Sequence, residues 1–254
     1  MSYNFPEIIF EDKDYLVINK PAGLIVHRTA HIQETTLADL LISYYPKIKT
    51  VGEDQERPGI VHRLDKEVSG LMVIAKNNAS FQSLKKQFQD RDVNKHYLAL
   101  VFGKVSKETD TIDFPIKRSR SGYKMAALPK GGEELLSRRH PKNRDQGNID
   151  GLFKSRQAIT EFKILKRFVN YTLLDVKIHT GRTHQIRVHF LAYGHPLVGD
   201  NLYYTKKTKL KNQKLQLNRV FLVANQLTFR DLQGKRRTFS LDLPDELKTF
   251  LPRF

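Results

Sequence analysis

The chain contains no cysteine, which removes disulfides, zinc–thiolate sites and thiol nucleophiles from consideration. It is also short of acidic residues, with 27 Asp and Glu against 44 Lys and Arg and a formal charge of +17 at pH 7. No stretch approaches the roughly 18 consecutive apolar residues that cross a bilayer. The N-terminal MSYNFPEIIFEDKDYLVINK carries early acidic residues and lacks the apolar core of a secretory signal. A cytoplasmic protein is therefore expected. Several chemical signatures are missing as well. The sequence has no GxxxxGK[ST] or GxGxxG phosphate loop, no GxSxG nucleophile elbow and no HExxH metal motif.

What is present is an ordinary globular composition, 39% hydrophobic and 28% charged over 254 residues, enough to bury a full core. The cationic surplus suits a polyanionic partner, with nucleic acid ahead of a membrane surface because no segment reads as a basic amphipathic anchor.

Short apolar runs at 8–10, 15–18 and 24–26, separated by Glu11–Asp14 and by the Pro21–Gly23 turn, predict two or three strands in a meander. Thr35-Thr36 precedes Leu37, Leu40 and Leu41, the spacing of a hydroxyl-capped helix ended by Pro46. Phe81, Leu84 and Phe88 share a helical face over 79–90, and 95–101 reads as a strand ended by Gly103. Residues 160–165 and 171–179 read as paired strands. A helix capped by Thr180 or Thr183 follows, with Ile186, Phe190 and Leu191 on its apolar face. A hairpin pairs 227–229 with 238–240, and a short helix over 245–251 closes the chain. Two segments are basic: 117–157, read as a long insertion between strands, and 201–219, which carries no acidic residue. Without an internal repeat or a clear linker, residues 1–254 are read as one domain of mixed strands and helices.

The densest chemistry lies in GIVHRLDKEVSGLMVIAK (59–76), where Asp65 sits among His62, Arg63 and Lys66 ahead of the apolar run Leu71–Ala75. That run predicts a buried strand after a Ser69-Gly70 turn, which mounts Asp65 on a loop feeding the core. Cations beside a carboxylate favour its charged form. Histidines 179, 184, 189 and 195 cluster in sequence, but His184 and His189 are five apart, off a common helix face, so no metal site is expected.

Four stretches in order resemble the motifs of RluA-type pseudouridine synthases, which isomerise uridine in ribosomal or transfer RNA. They are YLVINKPAGLIVH (15–27), GIVHRLDKEVSGLMVIAK (59–76), KHYLALVFG (95–103) and TGRTHQIRVHFLAYGHPLVGD (180–200). One departure is Val68, where the family usually has Thr before Ser-Gly. The resemblance implies an α+β fold with a mixed, mostly antiparallel central sheet flanked by helices. It implies no cofactor, no metal and an RNA partner, with no membrane and a monomer as the expected state. It makes Asp65, Tyr97 and Arg187 the catalytic residues: Asp65 starts cleavage of the glycosidic bond, Tyr97 stacks under the base, and Arg187 pairs with Asp65, with Arg182 as fallback. Arg63 would enter the stack vacated by the flipped nucleotide. His62, Arg182, His184, Lys206, Lys207 and Lys209 are the expected RNA-facing residues. Some family members carry an N-terminal S4 domain; here the first motif begins near residue 15 and leaves no room for one. An RNA-binding protein that keeps the fold without catalysis is the alternative.

Overall fold

The computed structural model describes residues 4–28, 34–119, 124–129 and 155–251. In chain order the elements are β1 (Glu7–Glu11), β2 (Tyr15–Lys20), α1 (Leu37–Tyr44), a 3₁₀ turn (Pro46–Thr50), β3 (Ser69–Ala75), α2 (Asn78–Asp90), β4 (Asn94–Phe102), β5 (Thr109–Asp113), β6 (Ile116–Arg118), β7 (Met125–Ala127), β8 (Ile159–Arg167), β9 (Tyr171–Ile178), α3 (Gln185–Ala192), α4 (Lys206–Leu215), β10 (Leu222–Arg230), β11 (Arg236–Ser240) and α5 (Asp245–Lys248). They form two compact units, one of residues 1–98 and 219–253, the other of 99–218. β4 carries the chain from the first into the second.

In the first unit the Asp12 carboxylate accepts from the N–H groups of Asp14 and Tyr15, each at 2.8 Å, and folds β1 back on β2. β2 then pairs antiparallel with β3 from Tyr15↔Ala75 to Lys20↔Gly70. All seven residues of β3 are buried, which explains why this strand reads as a continuous apolar run rather than an alternating one. β3 runs parallel to β10, with Ser69 opposite Val223 and Gly70 opposite Ala224. β10 turns into β11 with Leu227 opposite Phe239, as the hairpin pattern predicts. α1 begins in a capping box in which Thr36 and Asp39 exchange side-chain and backbone bonds.

Two local readings are corrected. Residues 24–26 form no strand, only a single bridge between Ile25 and Thr36; Gly23 turns at φ +89° and the carbonyls of Pro21 and Leu24 are taken by the Lys20 ammonium. The turn before β3 is centred on Lys66-Glu67, three positions before Ser69-Gly70: the Val68 N–H closes it on Asp65 O at 3.1 Å, and Ser69 and Gly70 already belong to the strand.

In the second unit β8 pairs antiparallel with both β5 and β9, and β6 with β7. With one parallel pair among these antiparallel ones, the fold is α+β with mixed, mostly antiparallel sheet structure. A small core of Ile116, Ala158, Val188 and Tyr203 lies under α3. α3 is capped by neither threonine. Its N-cap is His184, at φ +55° and without a side-chain cap, while Thr180 Oγ donates to Gln185 Oε1 at 2.7 Å and so reaches the helix through a side chain. α4 lies inside the basic segment 201–219, where the sequence carries no helical pattern. It starts in a capping box of Thr205 and Thr208. Of the basic insertion read at 117–157, residues 120–123 and 130–154 lie outside the described residues.

Candidate active site

Asp65 occupies the first position of the turn into β3, between the buried side chains of Leu64 and Val68. Its backbone is fixed from below by Lys20, whose side chain is fully buried. The Lys20 ammonium donates to Pro21 O and Leu24 O at 2.8 Å each and to Lys66 O at 3.3 Å. Lys66 O also accepts from the Gly23 N–H at 2.7 Å. The loop after β2 and the loop carrying Asp65 are thereby one hydrogen-bonded knot. Burial lowers the Lys20 pKa to about 7; the Arg219 guanidinium pushes in the same direction and Asp65 opposes it. Asp65 thus lies within the field of a buried ammonium.

Arg219 is the second buried cation of this region. Its guanidinium donates to Ser69 Oγ at 2.7 Å and to Leu222 O at 3.3 Å, and pairs with Glu246 of α5. It ties the start of β3 to the C-terminal segment. Neither Lys20 nor Arg219 stood out in the sequence. Lys20 reads as the start of a turn signal and Arg219 as one more cation of a basic stretch; burial, which sets them apart, leaves no local mark.

Tyr97 lies on β4 with 7% exposure. Burial raises the pKa of its phenol strongly and the Asp65 carboxylate adds to the rise. The ring is therefore a neutral, mostly apolar surface within electrostatic reach of the aspartate. Arg63 is exposed and donates to His27 Nε2 at 3.1 Å, joining two of the quoted motifs. Lys66 pairs with Glu34 at the surface.

His62 faces inward. Its ring stacks on Phe88 with centroids 4.5 Å apart, and Nε2 accepts from the Val73 N–H of β3 at 3.1 Å. Burial, with Lys95 adding to it, lowers its pKa to about 3, so it is a neutral imidazole that finishes the hydrogen bonding of β3.

In the second unit Arg187 is buried and held by Asp200 in a fork, Nε to Oδ2 and Nη2 to Oδ1, both at 2.8 Å. Asp200 Oδ1 also accepts from the N–H groups of Leu202 and Tyr203, and the Tyr203 ring lies 5.4 Å from the guanidinium carbon. His184 Nδ1 meets Tyr203 Oη at 2.9 Å. Arg182 Nε donates to Gln157 O at 3.2 Å. His189 is buried between Thr160 Oγ and Phe114 O, and His195 lies against Phe102 O. Lys206, Lys207 and Lys209 are exposed on α4. The structure thus brings Asp65, Tyr97, Arg63, His62, Lys20 and Arg219 into one unit, and Arg182, His184, Arg187 and the α4 lysines into the other.

The family profile of RNA pseudouridylate synthases matches residues 14–192. The chain is 40% identical over 252 residues to a protein of Aquifex aeolicus named as an uncharacterized RNA pseudouridine synthase, covering 97% of this chain and 72% of that one. It is 33% identical over 246 residues to the ribosomal large subunit pseudouridine synthase D of Zymomonas mobilis, covering 95% of this chain and 70% of that one. Among solved structures, the human RNA pseudouridylate synthase domain containing 4 superposes with a TM-score of 0.71 at 26% identity, covering 97% and 92% of the two chains. The chain belongs to the RNA pseudouridylate synthase family, the isomerases that convert uridine to pseudouridine.

Proposed function

We propose that this protein isomerises uridine to pseudouridine in structured RNA, with Asp65 as the nucleophile. The observation that carries this reading is the mounting of Asp65: a carboxylate on a tight turn, pinned through Lys66 O by a buried lysine and facing the electrostatic environment of a buried, neutral tyrosine. The reaction breaks the C1′–N1 bond of the target uridine, lets the uracil turn, forms a C1′–C5 bond and removes the proton left on C5. Atoms and electrons balance within the nucleotide, and the carboxylate returns unchanged whether its adduct forms on the sugar or on the base.

The same proposal gives each partner a role. Tyr97 forms the floor under the base; a phenol held neutral suits stacking. Arg187 keeps the catalytic role that the family motif gives it, with its guanidinium fixed by the fork of Asp200. Arg63 fills the gap left when the nucleotide flips out. Ribosomal RNA is the proposed target ahead of transfer RNA, a choice supported by the name of the Zymomonas mobilis relative. The working form is a cytoplasmic monomer; no helix among the described residues is long and apolar enough to cross a membrane.

The test is pseudouridine mapping of cellular RNA with and without the protein, and with Asp65→Asn in its place. At least one site should vanish in both deficient samples. If the Asp65→Asn form restores every site, Asp65 is not the nucleophile. If no site depends on the protein, the fold serves RNA binding alone.

A further inference from the structure

We propose that Lys95 is a phosphate-binding residue of the substrate site, whose ammonium takes a backbone phosphate beside the nucleotide that stacks on Tyr97. The inference rests on the reading of Tyr97 as the floor under the target base. Lys95 and Tyr97 are two apart on β4, so their side chains leave the same face of the strand, about 6.6–6.8 Å apart along it. In a nucleotide one ribose separates the base from its phosphate, a span of the same order. A base lying over Tyr97 thus carries a phosphate to the level of Lys95.

The surroundings of Lys95 are those of a cation awaiting an anion. The side chain is half-buried and its ammonium lies 5.4 Å from the centroid of the Phe88 ring. Among the described residues it has no ion pair and no hydrogen bond. Burial alone lowers its pKa, to about 8. The far partner of Phe88 is His62, stacked at 4.5 Å and kept neutral by burial, so the wall contributes no second positive charge. An aromatic face steadies an ammonium without neutralising it. A phosphate oxygen supplies both the charge and the acceptor, a stronger contact than any Lys95 makes within the protein. Lys66, nearby in sequence to Asp65, is by contrast already paired with Glu34.

The experiment uses the full-length protein and a short RNA hairpin built around a uridine found by the mapping described above. Each phosphate flanking that uridine is replaced in turn by an uncharged methylphosphonate. With the wild type, one replacement should raise KM by about tenfold or more. With Lys95→Met the same replacement should raise KM less than twofold further, because the contact is already gone, and Lys95→Arg should restore the penalty. If Lys95→Met melts early, Lys95→Gln takes its place in the comparison. Equal penalties in wild type and variant at every flanking phosphate overturn the inference while leaving the isomerase reading intact. A wild type that modifies no RNA overturns both.

Discussion

The ammonium of Lys20 donates to the backbone carbonyl of Lys66, 3.3 Å away and one residue past Asp65. A lysine with no exposed surface thereby fixes the Lys66–Glu67 peptide, one residue past the Asp65 carboxylate. Its other two hydrogen bonds go to Pro21 O and Leu24 O, so its three N–H groups are shared between two loops that lie more than forty residues apart. Arg219 does related work from the C-terminal side by holding Ser69 at the start of β3. Asp65 is bracketed on both sides by groups whose burial is the reason they matter.

Lys20 gives a stability–pH signature. Its pKa falls from the ordinary 10.5 to about 7 in the fold. Between those values the unfolded chain holds a proton that the folded chain has lost, so this group makes stability rise with pH, by at most about 1.4 kcal/mol per pH unit. Below its folded pKa the contribution is flat. Urea unfolding of wild type and Lys20→Met across this range should show the wild type gaining on the variant as the pH rises. A difference that shrinks with pH would refute the assignment. Loss of the knot should also lower kcat with little change in KM, since Lys20 supports the position of Asp65 rather than the grip on RNA.

Asp200 and Arg187 form a fully desolvated pair, with side-chain exposures of 0% and 4%. Replacing Asp200 by Ala leaves the guanidinium buried without its fork and removes the acceptor of the Leu202 and Tyr203 N–H groups. The expected loss of stability is about 3–5 kcal/mol, read by chemical denaturation. Asp200→Asn keeps the shape and one acceptor and should lose less. If Asp200→Ala is as stable as the wild type, the pair is not the anchor of α3.

The local rules of the chain were legible where one interaction decides the outcome. Thr36 caps α1, Gly103 follows β4, and the 231–234 turn joins β10 to β11, each from residues adjacent in sequence. The pattern misleads where a side chain bonds a group that hydrophobic spacing does not reveal. The 24–26 run forms no strand: Lys20 takes the Leu24 carbonyl, and those of Ile25 and Val26 accept from the Leu37 and Ala38 N–H groups of α1. The start of α3 shifts because Thr180 Oγ is taken by the Gln185 side chain and the Ile159 N–H and caps no N–H of the helix. α4 carries five lysines and docks through the buried polar side chains of Thr208 and Asn212, so it has no apolar stripe to announce it. For the site, Asp65, Tyr97 and Arg187 came from motif resemblance. Lys20, Asp200 and Arg219 stand out only through burial and partners, which are properties of the folded chain.

Gly70 tests how closely β3 and β10 approach. It sits at φ +121°, and a Cβ there would lie 2.3 Å from Ala224 O and 2.6 Å from Ala224 N. Backbone cannot yield as a flexible side chain can, so Gly70→Ala should cost more than about 3 kcal/mol and disturb the strand that follows Asp65. Gly234, at φ +77° in the β10–β11 turn, has nothing within 4 Å of the same atom. Gly234→Ala should therefore cost only the backbone term, roughly 1 kcal/mol. Similar losses for the two variants would show that the β3–β10 contact is not tight.

Tyr97 separates stacking from proton chemistry. Burial and the nearby Asp65 carboxylate keep its phenol protonated across the working pH range, so ionisation of this group should not shape the pH–rate profile. Tyr97→Phe retains the ring and should keep most of the affinity for RNA, whereas Tyr97→Leu removes the ring and, if a base stacks there as proposed, should weaken binding by about 1–3 kcal/mol. A phenylalanine variant with normal binding but no product would assign the hydroxyl to the proton removal at C5. One with near-normal turnover would leave Tyr97 as a stacking surface alone.

The lysines of α4 should act through charge and not through shape. Thr208 and Asn212 hold the helix, with Asn212 accepting from the Gly199 N–H at 2.9 Å and donating to Asp200 O at 3.0 Å. Lys206, Lys207 and Lys209 point away from that contact and are exposed. Lys209 lies 5.5 Å over the Tyr204 ring, which limits its sweep without taking its charge. Reversing all three to Glu should leave the fold intact and weaken RNA binding at low salt. If each lysine displaces counterions from one phosphate, the slope of log K against log salt should fall by about 2. The measurement is RNA affinity of the Asp65→Asn form at several salt concentrations, with and without the reversals, so that turnover does not interfere. An unchanged slope would place the RNA backbone elsewhere on the protein.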